Sequence, residues 1–369
     1  MFGVQDLIGW DNKNFREAFK TKDLPFITTE EFDWNGAAKK LENRLIWGDN
    51  LSVMRSLPDE STDLIYLDPP FFSGRNYNCI SGDNDEIRTF NDIWDGGLPT
   101  YLKWLNARLW EMKRLLKPTG SIFVHLDWHA CHYVKCELDK IFGYDNFTNE
   151  LIWQRDIPGK GGKKTSKQFP RNHDSILVYS RSKQSKFYQV YSELNEKQKK
   201  SYRLIEENTE RRFKSVSLGN YSEKSIKNME REGLIYVSKS GKKYKKYYLD
   251  EAKSTIGSIW IDILGFGTRT ASKERLGYPT QKPELLLERV IESCSDKGDI
   301  IADFFSGGGT TAAVAEKLGR RWIGCDVSRI AVSVARDRIQ KIYSDEKAGI
   351  EPVNKRPTYG FRVESHGES

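Results

Sequence analysis

The sequence predicts an α/β fold: a doubly wound, mostly parallel sheet carrying an inserted region. Three observations predict it. Short apolar runs of strand length recur at Leu64-Ile65-Tyr66-Leu67, Ser121-Ile122-Phe123-Val124-His125 and Asp299-Ile300-Ile301-Ala302. Segments of helical period stand between them, and a glycine-rich turn, Gly307-Gly308-Gly309, joins one run to a helix-like stretch.

In chain order, residues 1–40 form an N-terminal extension with no readable pattern, expected to be peripheral. Residues 62–67 read as a buried strand, followed by a loop rich in Gly, Asn and Asp from Ser73 to Asp95. Tyr101, Leu102, Leu105, Leu109, Met112, Leu115 and Leu116 repeat at helical spacing, and Lys117-Pro118-Thr119-Gly120 ends that helix before the strand 121–125. Pro283 opens a second helix running to Cys294, and Lys297-Gly298 precedes the strand 299–302. Ala312 to Leu318 is helical in pattern, and Arg321-Trp322-Ile323-Gly324-Cys325 is the next strand, with Ser328 placed to cap a further helix. The polar tail 346–369 is also expected to be peripheral.

At the end of the 62–67 strand stands Asp68-Pro69-Pro70-Phe71. A carboxylate and a prolyl carbonyl are both acceptors, a Pro-Pro step is rigid, and an aromatic ring can stack on another ring. Together they suit the gripping of an exocyclic base amine. A strand followed by a plain Pro-rich turn is the alternative that the tetrapeptide alone leaves open.

The second segment is Asp303-Phe304-Phe305-Ser306-Gly307-Gly308-Gly309-Thr310-Thr311. A strand, a glycine turn and a helix bring backbone N–H groups up to a nucleotide-type ligand. Gly307-x-Gly309-x-x-Ala312 also fits a dinucleotide fingerprint, with Asp326 seventeen residues after Gly309 and placed for ribose hydroxyls. A dinucleotide-dependent oxidoreductase is therefore a rival reading, and a tight structural turn a third.

Together these segments resemble the DNA amino-methyltransferases that use S-adenosylmethionine, a family marked by an Asp-x-Phe-x-Gly-x-Gly turn and an Asp-Pro-Pro-aromatic tetrapeptide. Their order here, tetrapeptide first and glycine turn last with Thr280-Gln281-Lys282-Pro283 just ahead of it, resembles the beta class, which includes restriction-modification enzymes and type III modification subunits. The resemblance spans roughly residues 41–182 and 256–340. It implies a Rossmann-like class I methyltransferase core whose catalytic half is 41–182 and whose cofactor half is 256–345. It also implies a target-recognition insert at 183–255. Leu45-Ile46-Trp47-Gly48-Asp49-Asn50 resembles the strand that reaches the cofactor adenine, and Arg171 to Tyr179 a late core strand. Gly308 departs from the pattern, because Ser or Ala is more usual there.

The resemblance implies roles residue by residue. Asp68 and the Pro69 carbonyl take the amine hydrogens, Pro70 holds the turn and Phe71 stacks on the base. Asp303 holds the methionine ammonium, with Phe305, Gly307 and Gly309 lining the site. Asp326 takes the ribose, Asp49 the adenine edge, and Thr280, Lys282 and Pro283 complete the methionine end. The implied reaction is transfer of methyl from S-adenosylmethionine to adenine N6 in double-stranded DNA. Cytosine N4 is the alternative, favoured less because those relatives more often carry Ser before Pro-Pro. A cognate restriction endonuclease and a homodimer are left open.

Composition agrees. The chain has 369 residues, 38% of them hydrophobic, enough for a large core. No stretch approaches a membrane span, and the start Met1-Phe2-Gly3-Val4-Gln5-Asp6 lacks the pattern of a secretory signal, so a cytoplasmic location is expected. Five scattered cysteines read as reduced thiols. None follows a proline, as a thiol nucleophile for carbon methylation would.

The net charge is +7, and the excess is clustered. Arg155 to Arg171 contains Lys160, Lys163 and Lys164 in a glycine-rich stretch suited to a phosphate backbone. Residues 183–255 mix basic and aromatic residues around Arg211, Arg212, Lys243 and Lys245, and Arg75 lies just beyond the tetrapeptide. Solvated charged faces are the alternative for any single cluster, and a catalytically silent DNA-binding module the alternative for the whole. His129, His132 and Cys136 would share a helical face, but no fourth ligand accompanies them, so no metal is expected.

Overall fold

A computed structural model describes residues 19–21, 24–33, 41–80, 86–157, 167–266, 274–344 and 359–367. The chain divides into two compact units, Met1–Tyr188 with Ser258–Ser369, and Gln189–Gly257.

The larger unit is built on one ten-stranded sheet. Its strands are β1 (Phe26–Phe32), β2 (Leu41–Trp47), β3 (Thr62–Leu67), β4 (Leu116–Leu126), β5 (Phe147–Gln154), β6 (His173–Ser180), β7 (Ile259–Trp260), β8 (Ile300–Asp303), β9 (Arg321–Asp326) and β10 (Gly360–His366). Their spatial order is β1-β10-β2-β9-β8-β3-β4-β6-β5-β7. The run from β10 to β4 is parallel throughout, β7 pairs parallel with β5, and antiparallel pairs join β1 to β10 and β6 to its two neighbours.

Among the described residues, six helices cover this sheet: α1 (Asn50–Arg55), α2 (Gly97–Leu115), α3 (Cys131–Phe142), α4 (Glu284–Cys294), α5 (Thr310–Lys317) and α6 (Arg329–Ser344). The apolar residues of α2 are buried as their spacing requires, with Tyr101, Leu105, Leu109, Met112 and Leu115 in the core. Helices α1, α2 and α3 pack in succession, as do α4, α5 and α6.

The topology places the site. Chain leaving β3 crosses through α2 to β4 on one side, whereas chain leaving β8 crosses through α5 to β9 on the other. Right-handed crossovers in opposite directions put their helices on opposite faces and open a crevice where the direction reverses, beyond the carboxyl ends of β3 and β8. Ala302 pairs with Ile65, so Asp303 and Asp68 both stand at that crevice.

Three segments differ from the sequence reading. The stretch 73–95 contains an antiparallel pair, Asn76–Ile80 with Glu86–Asn91. The chain ends are integral to the sheet in part, because β10 lies between β1 and β2. Strand β4 begins directly at Leu116, with Pro118 in a bulge between the Thr62–Leu116 and Leu64–Ser121 pairs, where a missing N–H breaks no ladder bond.

The smaller unit has a four-stranded antiparallel sheet, Leu204–Ile205, Arg212–Ser217, Lys243–Tyr248 and Ile235–Val237, and a helix, Glu223–Arg231, capped by Ser222. Phe213, Tyr248, Met229 and Tyr202 form its buried centre. Among the described residues no helix is long and apolar enough to cross a membrane.

Candidate active site

Asp68 follows directly on the fully buried end of β3. One carboxylate oxygen, Oδ2, is ion-paired with the Lys282 ammonium. The other, Oδ1, is buried and has no hydrogen-bond partner among the described residues. A buried acceptor left open is costly, and it persists where a ligand is to use it. Pro69 and Pro70 offer no N–H, and the next three N–H groups, of Phe71, Phe72 and Ser73, all reach the buried Asp92 carboxylate at 3.1, 2.9 and 2.7 Å. This clamp holds Phe72 at a φ of 63°, which a free loop would avoid.

Beneath the tetrapeptide lies a buried polar chain. The Phe71 ring stacks on His125 at 5.9 Å between centroids. His125 Nδ1 lies 2.7 Å from the Tyr66 hydroxyl, and its Nε2 lies 3.2 Å from Asp174 Oδ2. Arg155 pairs with the other Asp174 oxygen. Burial pushes the Asp174 carboxyl up, yet the His125 hydrogen bond and nearby positive charge hold it below its usual range, so it accepts from His125.

The other half of the site is the turn after β8. Asp303 accepts from Phe305 N at 3.0 Å and from the Thr311 hydroxyl at 2.5 Å. Burial, against those hydrogen bonds and helped by the neighbouring Asp68 and Asp326, raises its pKa to about 7. Asp326, at the end of β9, accepts from Gly307 N at 2.9 Å and Ser328 N at 2.8 Å, and burial raises its pKa. Gly309 has a φ of 72°, and a Cβ there would lie 2.6 Å from Ala335 Cβ, so the turn requires glycine twice over. At Gly308 the nearest atom a Cβ would meet belongs to Tyr278, at 3.5 Å, so the departure from the more usual Ser or Ala is not forced by space.

Asp49 caps α1 through the N–H groups of Leu51 and Ser52, both at 3.1 Å. Its second oxygen meets Arg108 Nη2 at 3.0 Å. That guanidinium also bonds Asn50 Oδ1 at 2.7 Å and lies 4.0 Å over the Trp104 ring, and burial lowers its pKa to about 10 against the pull of Asp49.

These groups share one cavity of about 350 Å³. Asp49, Asp68, Pro69, Pro70, Phe71, Thr280, Lys282, Asp303, Phe305, Gly307 and Asp326 all line it. Pro283 and Gly309 do not: Pro283 stands at the N-terminus of α4 and Gly309 at that of α5. Sequence reading missed Tyr66, Asn50, Trp104, Arg108 and Tyr278, which also line the cavity. Trp104 and Arg108 share a face of α2 at i and i+4, and a cation at the helical spacing of the apolar Tyr101, Leu105 and Met112 was the available signal. Nothing in its spacing marked Asp92.

The basic residues are placed as follows. Arg75 is exposed, and Arg171 lies 3.6 Å over the Trp128 ring. In the smaller unit, Arg211 bonds Asp250 and Glu251, Arg212 the Tyr202 carbonyl, Lys243 Glu230, and Lys245 Tyr221. Lys160, Lys163 and Lys164 lie outside the described residues. Helix α3 begins only at Cys131, and His129 precedes it, bound to Asp127 at 2.7 Å. No group of three or more potential metal ligands occurs among the described residues.

Residues 62–337 match the DNA methylase family N6_N4_Mtase, and the chain belongs to that family. It is 28% identical over 329 residues to the type II methyltransferase M.EcaI of Enterobacter cloacae, covering 81% of this chain and 69% of that protein. To the type II methyltransferase M.HinfI of Haemophilus influenzae it is 29% identical over 306 residues, with the same shares covered. Among solved structures, a DNA modification methylase of Thermus thermophilus complexed with S-adenosyl-L-methionine aligns with a TM-score of 0.47 at 18% identity, covering 88% of this chain and 97% of that one. The cytosine-N4-specific PvuII DNA methyltransferase aligns with a TM-score of 0.47 at 16% identity, covering 88% and 98%.

Proposed function

We propose that this DNA methylase is a site-specific adenine-N6 methyltransferase of a restriction-modification system, acting on duplex DNA in the cytoplasm with a cognate endonuclease as its counterpart. The observation that supports the amino-methyltransferase reading is the open, buried Oδ1 of Asp68 in the cavity that Asp303 and Asp326 also line, and the preference for adenine over cytosine N4 rests on Asp in place of Ser before Pro69-Pro70.

The cavity suits S-adenosylmethionine. Five carboxylates, those of Asp49, Asp68, Asp92, Asp303 and Asp326, line it in a chain of net charge +7, which favours a ligand bearing sulfonium and ammonium charges. The Ser306 hydroxyl oxygen is buried and has no hydrogen-bond partner among the described residues, and the glycine turn gives a ligand close access to backbone. Asp303 with Phe305 and Gly307 would hold the methionine end, Asp326 the ribose and Asp49 the adenine edge, with Thr280 alongside. Bound there, S-adenosylmethionine supplies an electrophilic methyl group.

The chain's own residues prepare the acceptor. Adenine's amino lone pair is delocalised into the ring, so the nitrogen must be drawn towards tetrahedral geometry. Asp68 Oδ1 and the Pro69 carbonyl accept its two hydrogens and favour that geometry. Phe71, backed by His125, stacks on the base. As positive charge develops on nitrogen, the fixed Asp68 carboxylate stabilises it. The amine is hidden in duplex DNA, so the base must be flipped out at a cost of a few kcal/mol. Arg75, Arg155, Arg171 and the basic side chains of the smaller unit, Arg211, Arg212, Lys243 and Lys245, are the proposed phosphate contacts, with Lys160, Lys163 and Lys164.

Nucleoside analysis of DNA from cells expressing the protein tests this. N6-methyladenine is expected, and N4-methylcytosine alone would overturn the adenine assignment.

A further inference from the structure

A second aromatic feature stands on the same rim as Asp68. Leu67 pairs with Val124, so Asp68 lies beside His125, and Trp128 follows three residues later on the neighbouring strand's extension. That is at most roughly 10 Å further along the strand direction. Trp128 is 45% exposed, yet its ring is sandwiched. The Arg171 guanidinium lies 3.6 Å over it, and the His129 ring is 3.8 Å away at an interplanar angle of 31°.

The sandwich is fixed. His129 is held by the buried Asp127 carboxylate, which accepts from its backbone N–H at 2.9 Å and meets its ring Nδ1 at 2.7 Å. Arg171 is tethered to Gln168 at 3.2 Å, and its backbone carbonyl accepts from Arg155 at 3.3 Å. Phe169, two residues before Arg171, is 94% exposed. An exposed stack of cation and rings, rigid before any partner arrives, contributes little to a core. Its chemistry matches nucleic acid, whose bases stack on guanidinium planes and whose phosphates attract the charge.

We propose that the Arg171–Trp128–His129 stack is a DNA platform: a base adjoining the flipped target stacks on the outer face of the Arg171 guanidinium, which Trp128 holds flat from behind. This rests on the DNA methyltransferase reading and assigns to that site a contact with the strand around the target. Arg171 gives a planar surface that a lysine of equal charge cannot reproduce.

The test uses the full chain and plasmid DNA prepared from methylation-deficient cells. Methyl incorporation by the wild-type protein reads the parent proposal, and its failure would overturn that proposal alone. Equilibrium binding to the same plasmid reads the platform. Trp128→Ala and Arg171→Lys are expected to weaken binding about tenfold, the scale of a lost stacking contact. Trp128→Phe should remain within about twofold, because a ring is retained. The salt dependence of Arg171→Lys should equal that of the wild type, since charge is conserved. Melting temperature and S-adenosylmethionine affinity should be unchanged in all three. Wild-type DNA affinity in both Trp128→Ala and Arg171→Lys would overturn the platform.

Discussion

The Lys282 ammonium is ion-paired with the Asp68 carboxylate, joining residues 214 positions apart. The pair occupies Oδ2 and leaves Oδ1 as the open acceptor, so one cation sets which oxygen of Asp68 is available to a ligand. Lys282 also bonds the Thr280 carbonyl at 3.3 Å, which ties the Asp68 carboxylate to the segment ahead of the glycine turn. We propose on this ground that Lys282 acts at the Asp68 carboxylate rather than at the methionine end, the role the resemblance implies for it.

Replacing Lys282 by Met should lower the methyl-transfer rate about a hundredfold, the cost of a displaced catalytic group. S-adenosylmethionine affinity should change little, and Lys282→Arg should recover part of the rate. Single-turnover kinetics with equilibrium binding separates the two effects. A large loss of cofactor affinity at an undiminished rate would return Lys282 to the methionine end.

The raised pKa of Asp303, about 7, should make cofactor binding pH-dependent. An ammonium binds the carboxylate form, so affinity should rise with pH and be about tenfold weaker at pH 6 than at pH 8. Stability runs the other way. The folded state holds this proton where the unfolded state has lost it, so the contribution of Asp303 to stability falls as pH rises from about 4 through about 7. Calorimetric titration between pH 6 and pH 8 reads the first effect, and Asp303→Asn should bind weakly with this pH dependence removed.

Gly309 and Gly308 should respond differently to the same added methyl. Gly309→Ala combines a φ of 72° with the Ala335 clash and should cost about 2 kcal/mol or more, measured by urea denaturation. Gly308→Ala meets only ordinary contact and should stay within about 1 kcal/mol.

Local features made much of this protein legible. Leu64 to Leu67 is apolar because β3 is buried on both faces, and the glycines after β8 stand out because Gly309 tolerates no side chain. The Asp68 and Asp303 segments could be read for the same reason: their chemistry is concentrated in a few consecutive residues. Long-range partners were not legible. Asp92 acts through the N–H groups of Phe71, Phe72 and Ser73, and a lone Asp in a polar stretch carries no sign of that use. Strands β1 and β10 escaped notice for different reasons. The edge strand β1 exposes much of its length, and β10 carries charged residues where a central strand has an unbroken apolar run. The Arg171–Trp128 stack joins two segments whose separate patterns read as a strand end and a basic loop.

The most direct measurement is single-turnover transfer of labelled methyl from S-adenosylmethionine to unmethylated DNA by the wild-type protein and by Asp68→Asn, with cofactor affinity determined for both. The account predicts equal affinities and a rate at least about a hundredfold lower in the variant, the scale of losing a positioned charge at the reacting nitrogen. A variant that transfers methyl at close to the wild-type rate would contradict it.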